Sequence, residues 1–266
     1  MTTEKFIDIE HNPLFYRITG TGLPVVLVHG FGEDGLIWQR QVESLHKYRF
    51  IVPDLPGSSR SAISKDMSME GLANSVQHII QNEIPGNEQV VIIGHSMGGY
   101  VALAFAEQYP HKLKGLGLFH STAYADSEEK KAIRLKGIEF MLQHGGGLFI
   151  RQTTPNLFSA VSKKEKPGLV AEIVERYSNF PAESLVQYYR SMIARPDRTE
   201  VLKRSTYPVL FIAGEQDTAI ALDHVMQQSH LPSLSYIHVL KQSGHLGMQE
   251  EEELSNRYLD GFLTGV

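Results

Sequence analysis

Gly94-His95-Ser96-Met97-Gly98-Gly99 places a serine between glycines two residues to either side. The apolar run Val90 to Ile93 precedes it and the helical pattern Tyr100 to Ala106 follows. In that setting a sharp strand-to-helix turn pushes a serine hydroxyl out at the top of a sheet. Flanking glycines keep such a strained turn free of Cβ clashes, and the amino end of the next helix favours developing negative charge. A hydroxyl is a weak nucleophile until a base takes its proton, and the base needs a third group to hold its tautomer.

In this strand–turn–helix architecture the partners follow the serine in the chain, acid first. Two downstream positions combine the right residue with a strand end: Asp217, past Val209 to Ile212, and His245, past Tyr236 to Leu240. Each has a plainer reading. Asp217 can simply cap a helix starting near Ala219, and His245 can be one solvated loop histidine among 12 in the chain. Glu215 and Asp223 are fallback acids, whereas His238 inside a strand pattern and His230 at a helix end compete poorly as bases. What favours Ser96, Asp217 and His245 together is that each occupies an expected strand end.

A second glycine motif, Gly30, Gly32 and Gly35 after Val25 to Val28, has the spacing of a dinucleotide loop, with Asp54 placed for a ribose. Glu33 and Asp34 oppose that reading, because they would face a pyrophosphate with no basic residue in the loop to offset them. Acyl transfer offers a better use for it. A tetrahedral oxyanion needs two backbone N–H groups, one after the nucleophile and one from a loop after an earlier strand, here Met97 and Phe31.

These residues need a scaffold. A chain of 266 residues, 42% hydrophobic and 21% charged, is that of a soluble globular protein with a core to bury, within the size of one α/β domain carrying an insertion. Strand patterns at Leu14 to Thr19, Val25 to Val28, Phe50 to Val52, Val90 to Ile93, Leu116 to Phe119, Val209 to Ile212 and Tyr236 to Leu240 alternate with helical ones. The helical patterns are Leu36 to His46, Met69 to Asn82, Gly98 to Tyr109, Ala219 to Ser229 and Glu250 to Leu263. Such alternation predicts a mostly parallel, doubly wound sheet with helices on both faces, and the first two runs are spaced for a hairpin across Gly20 to Pro24. The rhythm breaks over 121–205, which reads as a helical insertion covering the carboxyl ends of the strands, with the core formed by 1–120 and 206–266.

A net charge of −5 argues against a nucleic-acid partner, and the mixed run Asp126 to Lys131 reads as the solvated face of a helix. The amino-terminal segment has no secretory pattern, which makes the cytoplasm the default. The glycine-interrupted stretch Val90 to Ala106 makes a poor membrane span. With no cysteine, thiol chemistry and thiolate metal sites are excluded. No metal or cofactor is expected.

Together His29 to Gly32, Asp54 to Ser61, Gly94 to Gly99, Gly214 to Asp217 and Gly244-His245 resemble the α/β-hydrolase superfamily. The resemblance implies Ser96 as nucleophile, His245 as base, Asp217 as orienting acid, Phe31 and Met97 as oxyanion donors, and Asp54 in a structural loop. It places an esterase-like serine hydrolase in front. A ligand-binding or receptor-like protein with little turnover, a metal-free haloperoxidase or perhydrolase, and a carbon–carbon bond hydrolase are the alternatives. Large side chains of the insertion, Phe140, Met141, Phe158, Tyr188 and Met192, and Leu246 beside the base, are expected to line an apolar pocket for a small-molecule substrate. His120 is expected at its mouth or as a buried structural histidine, and Trp38 in the core.

Overall fold

In the computed structural model, which describes residues 2–9 and 11–266, the apolar runs become one eight-stranded sheet among the described residues. Its strands are β1 (Thr3–Ile9), β2 (Asn12–Thr19), β3 (Pro24–Val28), β4 (Arg49–Pro53), β5 (Val90–His95), β6 (Leu113–Phe119), β7 (Val209–Gly214) and β8 (Ser235–Leu240). They lie in the order β1-β2-β4-β3-β5-β6-β7-β8. From β4 to β8 all neighbours are parallel, while β1, β2 and β4 pair antiparallel.

The helices, in chain order, are α1 (Gln39–Ser44), α2 (Met69–Glu83), α3 (Met97–Gln108), α4 (Glu128–His144), α5 (Gly146–Thr153), α6 (Ala160–Glu165), α7 (Pro167–Tyr177), α8 (Ala182–Ala194), α9 (Thr199–Lys203), α10 (Leu222–Gln228), α11 (Gly247–Glu250) and α12 (Glu252–Gly265). Of these, α4 to α9 fall between β6 and β7. No helix among the described residues is long and apolar enough to cross a membrane.

The expected hairpin between Leu14 to Thr19 and Val25 to Val28 does not form. All five residues of β3 are buried, so this strand needs a neighbour on each side and takes β4 and β5 in parallel. The antiparallel edge is made instead by β1 and β2, paired from Thr3↔Ile18 to Ile9↔Asn12. β1 escapes the sequence reading because its apolar residues alternate with Glu4, Lys5 and Asp8 on an exposed edge.

Five of the parallel strands end just before a residue that the sequence singles out: Phe31 after β3, Ser96 after β5, His120 after β6, Asp217 after β7 and His245 after β8. Adjacent registers bring these ends level, with His95 opposite Phe119, Phe119 opposite Ile212 and Gly214 opposite Leu240. The strands beneath are wholly buried at β5 and β7, which makes a rigid base for the loops.

Candidate active site

Ser96 has φ 51° and ψ −116°, a conformation uncommon for a residue with a Cβ. The turn closes through Ser96 N–H donating to Phe119 O at 2.9 Å and Gly99 N–H donating to Ser96 O at 2.9 Å. Packing explains the glycines: a Cβ on Gly94 would run into the Gly98 backbone, and one on Gly98 into the carbonyls of Val28 and His29. Met97 opens α3, so its N–H belongs to a first turn without helical acceptors. Among the described residues the Phe31 N–H has no acceptor either.

His245 Nε2 lies 2.8 Å from Ser96 Oγ, and His245 Nδ1 lies 2.7 Å from Asp217 Oδ2. The carboxylate acceptor fixes the proton on Nδ1 and leaves Nε2 to receive the serine proton. Asp217 also does what its plainer reading expects, on its other oxygen, where Oδ1 accepts the N–H groups of Ala219 and Ile220 at 2.8 and 2.9 Å. The capped segment is a turn, since α10 begins only at Leu222. Burial would raise the Asp217 pKa. The electrostatic pull of the His245 ring and hydrogen bonds from His120 and His245 overcome this and hold it well below the usual carboxylate range. Glu215 is exposed and Asp223 sits on α10, also exposed.

Three further histidines are buried here, and their partners decide their protonation. His120 Nε2 accepts Gly247 N–H at 3.1 Å, while Nδ1 lies 3.2 Å from both Asp217 Oδ2 and the Gly214 nitrogen; with Nε2 already an acceptor, the ring proton sits on Nδ1 and is donated to the carboxylate. Burial pushes its pKa down to about 4, which keeps it neutral. His29 likewise donates from Nδ1 to Gly30 O and accepts Leu55 N–H at Nε2. His95 differs: Nδ1 faces Glu33 Oε2 at 2.9 Å and Nε2 faces His245 O at 2.9 Å. Two acceptors require two donors, so His95 is an imidazolium. Burial opposes this, but the Glu33 carboxylate raises the His95 pKa, and His95 in turn lowers that of Glu33. Glu33 Oε2 also accepts Gly30 N–H at 2.8 Å, tying the Phe31 loop to the serine turn.

Asp54 is fully buried, takes Arg17 at 2.8 Å and accepts Gly35 N–H at 3.0 Å. It braces the loop from within. The His245 loop is braced by Glu250, whose carboxylate accepts the N–H groups of Gly244, Leu246 and Ser159. Trp38 is buried edge-on to Phe119.

Ser96 and His245 open into a cavity of about 130 Å³ lined also by Phe31, Tyr100, Lys130, Arg134, Leu157, Tyr189, Met192, Ala219 and Ile220. Of the side chains expected there from the insertion, Met192 lines it. Phe140, Met141, Phe158, Tyr188 and Leu246 do not, and neither does His120, which is fully buried behind Asp217. The reason is rotation about each segment. Tyr189 faces the cavity while its neighbour Tyr188 turns to donate to Pro56 O at 2.7 Å, and Leu157 takes the place expected of Phe158. Met141 and Leu246 pack inward at 1% exposure. The run Asp126 to Lys131 is not wholly solvated either: Asp126 is buried against Arg134 and Arg195, and Lys130 reaches the cavity. The i, i+4 spacing of Lys130 and Arg134 was the available signal for them.

His120, Asp217 and His245 each present a ligand-type atom within 4.8 Å of the others. Both histidine Nδ1 atoms already point at the carboxylate, so the trio is a hydrogen-bonded set in which Asp217 Oδ2 accepts from both rings.

Residues 25–257 match the alpha/beta hydrolase family. A thermophilic esterase from Thermogutta terrifontis has a similar solved structure, with a TM-score of 0.92 and 30% identity over 99% of this chain and 98% of that one. In sequence the chain is 27% identical over 272 residues to the pimeloyl-[acyl-carrier protein] methyl ester esterase of Vibrio cholerae, covering 94% of this chain and 98% of that protein. It is 28% identical over 283 residues to 2-hydroxy-6-oxononadienedioate/2-hydroxy-6-oxononatrienedioate hydrolase 1 of Dechloromonas aromatica, covering 98% and 96%. With a family match over most of its length and a shared fold from end to end, the chain belongs to the alpha/beta hydrolase family.

Proposed function

We propose that the protein is a serine hydrolase that cleaves a carboxylic ester or related acyl bond of a small, partly apolar molecule through an acyl-enzyme. The observation that carries this is the unbroken chain from Ser96 Oγ through His245 to Asp217, at 2.8 and 2.7 Å. Ser96 Oγ attacks the carbonyl carbon as His245 Nε2 takes its proton. Asp217 stabilises the imidazolium that results, and the N–H groups of Phe31 and Met97 receive the oxyanion. His245 then returns the proton to the leaving alcohol. Water enters, gives a proton to the same nitrogen as its oxygen attacks the acyl carbon, and the tetrahedral species collapses with His245 returning that proton to Ser96 Oγ as the acid leaves. The esterases among the similar proteins support this choice of reaction.

Residues 121–205 act as a cap in this reading. Phe31, the loop residue offering one N–H, stacks on Tyr189 of α8 at 4.4 Å between ring centroids, so the insertion both closes the cavity and steadies the oxyanion loop.

Treatment with a fluorophosphonate followed by peptide mass spectrometry tests the mechanism without knowledge of the substrate. The expected result is a stoichiometric adduct on Ser96, absent in Ser96→Ala and formed roughly 10²–10⁴-fold more slowly in His245→Ala. A folded protein that stays unlabelled at Ser96 would overturn the proposal in favour of a binding protein on this fold.

A further inference from the structure

Lys130 and Arg134 stand one turn apart on α4, and both line the cavity that holds Ser96 and His245. Arg134 Nε–H donates to Asp126 Oδ2 at 2.6 Å, and the other oxygen of Asp126 takes Arg195 at 3.0 Å. Glu33 is matched by the His95 imidazolium. Asp217 spends both oxygens on two backbone N–H groups and two histidines. Lys130 has only a carbonyl, Ala219 O at 2.8 Å, and no carboxylate within 4.0 Å of it is found among the described residues. Two of its three N–H donors are therefore left for something else.

The groups around the cavity are unbalanced. Lys130, Arg134 and His95 line it with one carboxylate, Glu33, which His95 engages, and Arg134 shares Asp126 with Arg195, so Lys130 is the lining cation left without a carboxylate. Lys130 is half-buried, so its ammonium is partly stripped of water and an anion beside it would offset that loss. Lys130 is also well placed to receive one. Ala219 ties its ammonium, through the same peptide segment, to the acid that orients His245, so an anion at Lys130 lies beside the reacting centre.

The geometry points to a carboxylate-bearing substrate: a short ester whose acyl or alcohol part carries a free carboxylate that pairs with Lys130, with Arg134 beside it. This rests on the acyl-transfer reading above and narrows its substrate class. The cavity, at about 130 Å³, restricts the ligand to short chains, being close to the volume that holds a benzene-sized molecule.

The test compares matched neutral and anionic esters: monomethyl succinate against methyl butanoate for an acyl-side carboxylate, and acetoxyacetate against ethyl acetate for an alcohol-side one. Wild type is expected to favour the anion of one pair by tenfold or more in kcat/KM. Lys130→Met is expected to reduce that ratio by about tenfold, and Lys130→Arg to keep most of it. A wild-type ratio near one in both pairs, or equal losses on both esters in Lys130→Met, would overturn the inference and leave Lys130 a clasp between α4 and the Ala219 segment. Calorimetric binding of monomethyl succinate and acetoxyacetate to Ser96→Ala, repeated with Lys130→Met added, needs no turnover. If neither ester is cleaved and Ser96 takes no fluorophosphonate, the acyl-transfer reading fails, while binding of either anion that Lys130→Met abolishes still upholds the anion site, and absence of binding by both removes it.

Discussion

His120 Nδ1 and His245 Nδ1 converge on a single oxygen of Asp217, at 3.2 and 2.7 Å. The first is neutral and the second is the proposed base, so His120 competes for the charge that would stabilise the His245 imidazolium. His120→Leu removes that competitor, and the acid limb of the kcat/KM profile is expected to move to higher pH. It also strands the buried Gly247 N–H, at a cost of about 1–3 kcal/mol. His120→Gln, which can donate and accept, is expected to restore most of both. A pH profile of Leu and Gln variants alongside wild type checks the pair, and an unmoved acid limb in His120→Leu would count against a positioning role.

The same residue makes stability depend on acid. With a folded pKa of about 4 against 6.5 for a free histidine, the unfolded chain binds a proton between those values that the folded chain refuses. Stability therefore falls as pH drops from 6.5 to 4, by up to about 3 kcal/mol. Urea midpoints across that range are expected to slope in wild type and flatten in His120→Gln.

Glu33 and His95 act in the opposite sense. His95 has its pKa raised, so its contribution is complete below 6.5 and disappears as pH rises through the folded value. Glu33→Gln keeps a hydrogen bond but removes the charge that sustains the imidazolium. It is expected to cost about 3–5 kcal/mol, as for breaking a buried ion pair, and to abolish the alkaline slope. Loosening of Gly30 and hence Phe31 should lower kcat more than it raises KM, measurable on any ester the protein cleaves.

Two glycines with opposite surroundings test the account of the serine turn. Gly98→Ala drives a Cβ into backbone carbonyls of Val28 and His29, which cannot step aside as a side chain can, and the expected loss is about 3 kcal/mol together with the Ser96 adduct. Gly261, inside α12, has nothing within 4 Å of its would-be Cβ. Gly261→Ala is expected to stabilise by about 1 kcal/mol through helix propensity alone. Denaturant midpoints of the two variants should move in opposite directions.

The legible and hidden parts of the site divide along a physical line. Strand ends at Ser96, Asp217 and His245 could be read because short apolar runs and glycines announce where a buried parallel strand stops. Which face of an inserted helix meets the cavity depends on its rotation against neighbours far away in sequence. That is why Tyr189 was hidden behind Tyr188 and Leu157 behind Phe158. The run Asp126 to Lys131 reads as a solvated face, yet Lys130 reaches the cavity and Asp126 is buried, through contacts with Ala219, Arg134 and Arg195 that no local pattern contains. His95 and Glu33 lie 62 residues apart, and only the sheet order that places β3 beside β5 joins them.

The stack of Phe31 on Tyr189 links cavity size to the proposed oxyanion loop. Tyr189 also meets Phe149 edge-on at 5.7 Å and Arg134 lies over its ring at 5.1 Å, so its ring is the wall between the cavity and the aromatic cluster of α5 and α8. Tyr189→Leu opens that wall without removing all apolar packing. With the small wild-type cavity, p-nitrophenyl acetate and butanoate are expected to outpace hexanoate and octanoate. In Tyr189→Leu the optimum is expected to shift toward the longer chains, while the rate on acetate falls several-fold because Phe31 loses its stacking partner. Tyr189→Phe keeps the ring and should reproduce the wild-type order. An unchanged chain-length profile in Tyr189→Leu would mean that the acyl chain lies elsewhere and that the stack serves packing alone.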